Sequence, residues 1–368
     1  MNVDDLLQLM VKRSISDIHF KAGSPPMLRF NGKLMAAESS PLTSEHVEQL
    51  AYSLMNEKQQ KKFEKEDELD LGYEVEGVSR FRVNLYRQKG GIALSLRVIP
   101  PSPKTFEELN LPNETMRKIT SHNRGLILIA GITGAGKTTT LNTMIDFINS
   151  TRRSNIITIE DPVEFYHNDK MSTVSQREVG SDTKSFGQAL KHVLRQDPDV
   201  IVIGEMRDFE TVNAAIMGGE TGHLVISTVH TIDAVHTVNR IVDMYSPHQQ
   251  AQIRMTLSQI LRGIIAQRLI PRVDQEGRIP AIEILTVTPF VRKLIAEGKD
   301  VGIYTAMQQG TFYGMQSFDQ SLLNLYKEGK ISLEEALDNA TNPDELMLSV
   351  RGIYTGVDEN NSQGKRDK

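Results

Sequence analysis

Residues 131–138 read Gly-Ile-Thr-Gly-Ala-Gly-Lys-Thr, a complete G-x-x-x-x-G-K-T element directly after the apolar run Leu126–Ala130. A helical stretch, 138–148, leaves it. No other feature constrains the fold as much. The strand must be buried, the loop must present its backbone N–H groups, and the helix must aim its N-terminus at what the loop holds. Thr133, Gly134, Ala135, Gly136, Lys137, Thr138 and Thr139 then form a nucleotide-binding cradle. Lys137 reaches the β- and γ-phosphates of a nucleoside triphosphate, and the Thr138 hydroxyl ligates Mg²⁺.

The surrounding pattern agrees with such a loop. From about residue 114, helices alternate with short apolar strands at Leu126–Ala130, Asn155–Ile159, Val200–Ile203 and His223–Ser227. That rhythm predicts an α/β domain with a parallel sheet covered on both faces. Residues 288–350 read as helices, so this domain is expected over 114–357, followed by a polar, disordered tail at 358–368. Residues 1–99 are different, with mixed α+β patterning. Helices are expected at Val3–Val11, Ser44–Leu54 (capped by Ser44) and Glu57–Lys65. Strands are expected at 17–20, 26–31, 68–75, 79–86 and 91–99. Alternation in 80–86 puts Phe81, Val83 and Leu85 on one face and Arg80, Arg82, Asn84 and Tyr86 on the other. Pro100-Pro-Ser-Pro103 breaks the pattern and opens a linker, 100–113.

Composition narrows the chemistry. The 368 residues are 39% hydrophobic, enough for a core in each of two domains. There is no cysteine, which excludes disulfides, thiolate–zinc sites and cysteine nucleophiles and is compatible with a reducing cytosol. A net charge of −5 argues against a broad grip on nucleic acid. The opening residues are acidic, without the basic-then-apolar order of a signal peptide, and no run approaches the ~20 apolar residues of a membrane span. A soluble chain is expected, with no direct membrane insertion; membrane association would run through a partner.

Hydrolysis needs a Mg²⁺ partner, a group that positions water and a group that stabilises charge on the γ-phosphate. Residues 199–205, Asp-Val-Ile-Val-Ile-Gly-Glu, form an apolar strand ending in a carboxylate, the Walker B arrangement, so Glu205 is the candidate to hold Mg²⁺ through its water shell. A second strand ends in Glu160, Asp161 and Glu164. One of them orients or deprotonates the attacking water; Glu164 is favoured as base and Glu160 as a metal-side or structural acid. His223 and His230 flank a third strand, and His230, at its C-terminal end, faces the phosphates. Arg80, Arg82 and Arg97 lie on strands of the other domain. Arginines so placed can act as arginine fingers, although pattern alone favours a solvated strand face.

Taken in order, the P-loop, the box 159–164 (Ile-Glu-Asp-Pro-Val-Glu), the run 194–208 and the box 220–231 resemble the Walker A, Asp, Walker B and His boxes of the secretion ATPase superfamily. The likeness covers about residues 3–350 and includes 16–19, 79–82 and 96–100 in the first domain. Within that superfamily, 176–180 and 235–240 and the short first domain resemble the type IV pilus retraction ATPases, the PilT-like group. Extension ATPases carry a four-cysteine zinc site, which this chain cannot build. The segment 291–298 corresponds loosely to the helix tied to retraction. Ile132, Ala135 and Thr138 stand where the group usually has Pro, Ser and Ser; a threonine keeps the hydroxyl.

The resemblance implies a PAS-like first domain joined to a RecA-like ATPase core, ATP and Mg²⁺ as cofactors, and assembly with itself into a homohexameric ring. It puts Arg82 and Arg97 on the arginine-finger positions, with Arg80 close by. It implies a cytoplasmic motor, peripheral at the inner face of the cytoplasmic membrane, that acts on an inner-membrane platform protein of the PilC kind to disassemble pili for twitching motility. The alternatives are a PilU-like accessory paralogue, with which the ring could also pair, another secretion or extension ATPase, a non-hydrolysing regulatory subunit, and a RecA-like nucleic-acid translocase.

Overall fold

The structure, a computed structural model, describes residues 3–353 apart from 14, 31, 32, 100 and 101. The expected tail at 358–368, and Pro100 and Pro101 of the expected linker, lie outside the described residues. The chain forms two compact units. The first gathers the chain up to Pro103 together with Pro162–His167, and the second holds Lys104–Asp161 and the chain from Asn168 onward.

The first unit runs α1 (Val3–Lys12), β1 (Ile15–Lys21), β2 (Met27–Phe30), β3 (Lys33–Ala36), α2 (Ser44–Ser53), α3 (Glu57–Glu66), β4 (Glu68–Val75), β5 (Ser79–Gln88) and β6 (Gly91–Ile99). Its sheet has the order β3-β2-β1-β6-β5-β4, antiparallel throughout. The strict alternation of β5 buries Phe81, Val83 and Leu85 completely, in one core with Phe63 of α3 and Leu7 of α1. Each such side chain contributes about 1.5–3 kcal/mol on leaving water. Asn56 caps α3 in a reciprocal box with Gln59. The cap of α2 is Thr43, whose hydroxyl accepts from the His46 N–H at 3.2 Å, and Ser44 is the first helical residue. The edge strand β3 has four exposed residues, so no periodic burial marks it in the sequence.

The second unit runs α4 (Asn113–Thr120), β7 (Gly125–Ala130), α5 (Lys137–Thr151), β8 (Asn155–Glu160), β9 (Thr173–Glu178), α6 (Phe186–Val193), β10 (Val200–Ile203), α7 (Phe209–Glu220), β11 (Leu224–Val229), α8 (Ala234–Asp243), α9 (Pro247–Ile260), β12 (Leu261–Pro271), β13 (Arg278–Thr286), α10 (Pro289–Glu297), α11 (Asp300–Gln309), α12 (Phe318–Lys327), α13 (Leu333–Asp338) and α14 (Pro343–Val350). Residues ahead of α4 already pack here: Phe106 and Leu111 are buried in its core.

The sheet order is β13-β12-β7-β11-β10-β8-β9. All neighbours are parallel except β12 and β13, which form an antiparallel hairpin at one edge. Both faces are covered, as near-continuous apolar strands require. Leu126, Leu128 and Ala130 pack on one side with Ile216 of α7 and Val238 of α8; Ile127 and Ile129 pack on the other with Met144 and Ile148 of α5. Among the described residues, no helix is long and apolar enough to cross a membrane.

Register aligns the strand ends. Ala130 pairs with Val229, Ile203 with Ser227, and Ile203 with Ile159. The residues that follow β7, β10 and β11, and Glu160 at the end of β8, therefore emerge along one edge, where open α/β sheets bind ligands.

Candidate active site

The P-loop is shaped by its glycines and held by its neighbours. Gly131 has φ 153°, and a Cβ there would fall 2.8 Å from the Ala135 Cβ and 2.9 Å from the Gln267 carbonyl oxygen. The loop thus closes tightly against β12. Lys137, the first residue of α5, is buried, and its ammonium donates to the carbonyls of Gly131 at 2.8 Å and Ile132 at 3.0 Å. Burial lowers its pKa, and the nearby Glu205 carboxylate raises it. Lys137 and Glu205 are therefore electrostatic neighbours although 68 positions separate 137 from 205. Thr138 follows in the first turn. Gln267 of β12 donates from Nε2 to the Thr140 hydroxyl at 2.8 Å, tying α5 to the sheet. A cavity of about 180 Å³ adjoins the loop, lined by Ala135, Gly136, Thr139, Leu269 and Pro280 among others.

Glu205 lies two residues beyond β10, in the loop rather than the strand. Its side chain is only 14% exposed, with Oε1 2.6 Å from Arg207 Nε and Oε2 3.3 Å from His230 Nε2. His230, one residue beyond β11, is thus brought to the Glu205 carboxylate. Glu160 ends β8 and is buried; the Thr158 hydroxyl and the Gln176 amide donate to its Oε1 at 2.7 and 3.0 Å. Asp161 is exposed beside it.

The remaining candidates have partners of their own. Glu164 belongs to the first unit, where its Oε1 accepts from Arg82 Nη1 at 3.1 Å. Arg82 also lies 3.8 Å from Asp70, and the Arg80 guanidinium lies over the Tyr166 ring, 4.0 Å from its centroid. Arg97 donates from Nε to Asp17 Oδ1 at 2.7 Å, across the β1–β6 register pair. His223 precedes β11, at the end of the strand opposite His230, and its Nδ1 meets the Thr221 hydroxyl and the Gly218 carbonyl at 3.0 and 3.2 Å.

Four residues of the second unit have no role assigned from sequence. Arg207 is visible in retrospect as the basic residue two places after Glu205. Gln176 opens the segment 176–180 on the polar strand β9, and Gln267 sits on β12, an apolar strand outside every motif. Glu283 is a carboxylate at an inward position of β13, and its Oε1 accepts from the Ala234 N–H at 2.7 Å. Burial pushes its pKa up to about 8.

Comparison with known proteins shows the family. The family described as type II/IV secretion system protein matches residues 2–349. The chain is 43% identical over 344 residues to the type IV pilus retractation ATPase PilT of Pseudomonas aeruginosa, covering 94% of this chain and 99% of the relative. It is 40% identical to the type IV pilus ATPase PilU of the same organism, over 95% of this chain and 92% of the relative. A crystal structure of the pilus retraction motor PilT and bound ADP superposes with a TM-score of 0.87 at 43% identity, covering 94% of this chain and 99% of that one. With a G-x-x-x-x-G-K-T loop on a parallel sheet and a family match along nearly its whole length, the chain belongs to the type II/IV secretion system protein family and is an ATPase of the RecA-like P-loop kind.

Proposed function

We propose that this chain is the ATP-hydrolysing motor of type IV pilus retraction, a homohexameric ring at the inner face of the cytoplasmic membrane that works on a platform protein of the PilC kind. The observation that carries the reading is the convergence of Lys137, Glu205 and His230 at one sheet edge in a chain 43% identical to PilT along 94% of its length.

In this reading the loop backbone from Thr133 to Thr139 and the Lys137 ammonium bind the phosphates. Thr138 and Glu205 fit a Mg²⁺ ion. The hydroxyl stands beside Lys137 in the first turn of α5, Glu205 is close enough to Lys137 to oppose the burial that lowers its pKa, and Mg²⁺ takes few protein ligands beside water and phosphate oxygens. When bound, the ion would neutralise charge on the β- and γ-phosphates. Glu164 accepts the proton of the attacking water. Glu160, held by Thr158 and Gln176, keeps its carboxylate fixed beside β10, and Asp161 supports the acidic box. His230 senses the γ-phosphate through its contact with Glu205. Arg82 and Arg97 serve as arginine fingers, with Arg80 in support.

Deletion of the gene tests the direction of work: loss of twitching with pili retained is expected, whereas loss of pili would mean extension. Purified Lys137→Ala or Glu205→Ala protein is expected to have no turnover, and undiminished activity in either would end the ATPase-site assignment. The 40% identity to PilU supports a second reading as an accessory retraction ATPase. Complementation of strains lacking one or the other motor separates the two.

A further inference from the structure

The His230 ring is 43% exposed and meets Glu205 at 3.3 Å, so its aim depends on the backbone segment that carries it, 230–233, between β11 and α8. One end of that segment is fixed by β11, which is hydrogen-bonded to β7 and β10. The other end is fixed at the start of α8. There Asp233 accepts from the His236 N–H at 2.7 Å, and the Thr231 and Thr237 hydroxyls meet at 2.6 Å. A third anchor comes from far along the chain: Glu283 of β13 accepts from the Ala234 N–H at 2.7 Å.

Glu283 is 1% exposed and shares its strand face with Ile279, Ala281 and Leu285. A carboxyl in such a place is costly where an aliphatic side chain would pack well. Asp233 and Asp319 add to the burial that raises its pKa, while the Ala234 amide and Arg268 oppose it. What the carboxyl provides that an aliphatic group cannot is an acceptor for a helix N-terminal N–H that has no partner within the helix.

We propose that Glu283 is a positioning residue for ATP hydrolysis: through the Ala234 amide it sets the first turn of α8, and with it the reach of His230 to Glu205. This rests on the role given to His230 above. The residue is remote in sequence from every motif of the site, and the antiparallel hairpin of β12 and β13 brings it there.

The test is a double-mutant cycle on the purified full chain. Glu283→Ala is expected to lower kcat about tenfold, the equivalent of one lost hydrogen bond, with KM for ATP within about twofold. Glu283→Gln, which keeps an acceptor, is expected to retain kcat. In a His230→Ala background, Glu283→Ala is expected to add nothing. If Glu283→Ala fails to fold, Glu283→Met, matched in volume and without the acceptor, carries the same test. Multiplicative losses, or loss of activity in Glu283→Gln, would overturn the inference and leave Glu283 a structural residue. Full activity in His230→Ala alone would instead overturn the role of His230 on which it rests.

Discussion

Arg82 Nη1 donates to Glu164 Oε1 at 3.1 Å, so the residue read as an arginine finger holds the residue read as the catalytic base. Both are partly exposed, at 39% and 26% of the side chain, so the pair adds little to stability. Glu164→Gln is expected to lower kcat by about 10²–10⁴ while ADP affinity stays near that of the parent. Arg82→Ala is expected to lower kcat as well. Steady-state turnover beside a nucleotide-binding titration checks both, and parental turnover in Glu164→Gln would remove it from the mechanism.

Lys137 is buried with its ammonium on two loop carbonyls, so the loop is built around a cation. Ligand binding should stabilise the fold by about 2.7 kcal/mol at a hundredfold excess over Kd. Lys137→Ala is expected to lose most of the melting-temperature rise produced by ADP or ATP. A calorimetric scan with and without nucleotide reads this directly.

Two loop glycines should respond differently. At Gly131 a Cβ would meet the Ala135 Cβ and a backbone oxygen below 3.0 Å, neither of which can move without opening the loop. Gly131→Ala is expected to abolish the nucleotide-induced stabilisation. Gly134 has φ 80° with nothing within 4 Å of an added Cβ. Gly134→Ala is expected to cost only the conformational strain, about 1–2 kcal/mol, and to keep measurable binding.

The Glu283 carboxyl makes stability depend on pH. Its folded-state pKa is about 8, above the ordinary value of 4.5. Below 4.5 the group is neutral in both states and costs nothing. As pH rises toward 8, the unfolded chain ionises and the folded chain does not, so the fold loses ground; above 8 the deficit is constant. Glu283→Gln has no such deficit. Its melting temperature relative to the parent should therefore rise between pH 5 and 8 and then level off. A difference that is flat across that range would mean the carboxyl titrates normally.

The strands that sequence revealed are those whose burial is written in consecutive residues. Leu126–Ala130 and Val200–Ile203 are apolar throughout because both faces are covered, and β5 alternates because one face is. β9 reads Thr-Val-Ser-Gln-Arg-Glu, and β3 is fully exposed; neither carries a strong periodic apolar signal, because neither has a fully buried residue. The P-loop was legible because a phosphate cradle is a local backbone shape, and its glycines, lysine and threonine lie within eight positions.

By itself, then, the chain determined the elements of the candidate site: a G-x-x-x-x-G-K-T loop between a buried strand and a helix, an apolar strand that runs up to Glu205, and a rhythm that produces a parallel sheet. Tertiary structure decided the partners. Register sets His230 at Glu205 and leaves His223 at the opposite end, antiparallel pairing sets Arg97 on Asp17, and packing sets Glu164 on Arg82, 82 positions away in the chain. The physical reason is the range of the forces involved. Loop shape and strand burial depend on neighbouring residues, whereas a hydrogen bond or ion pair between distant positions exists only once the sheet has chosen its order.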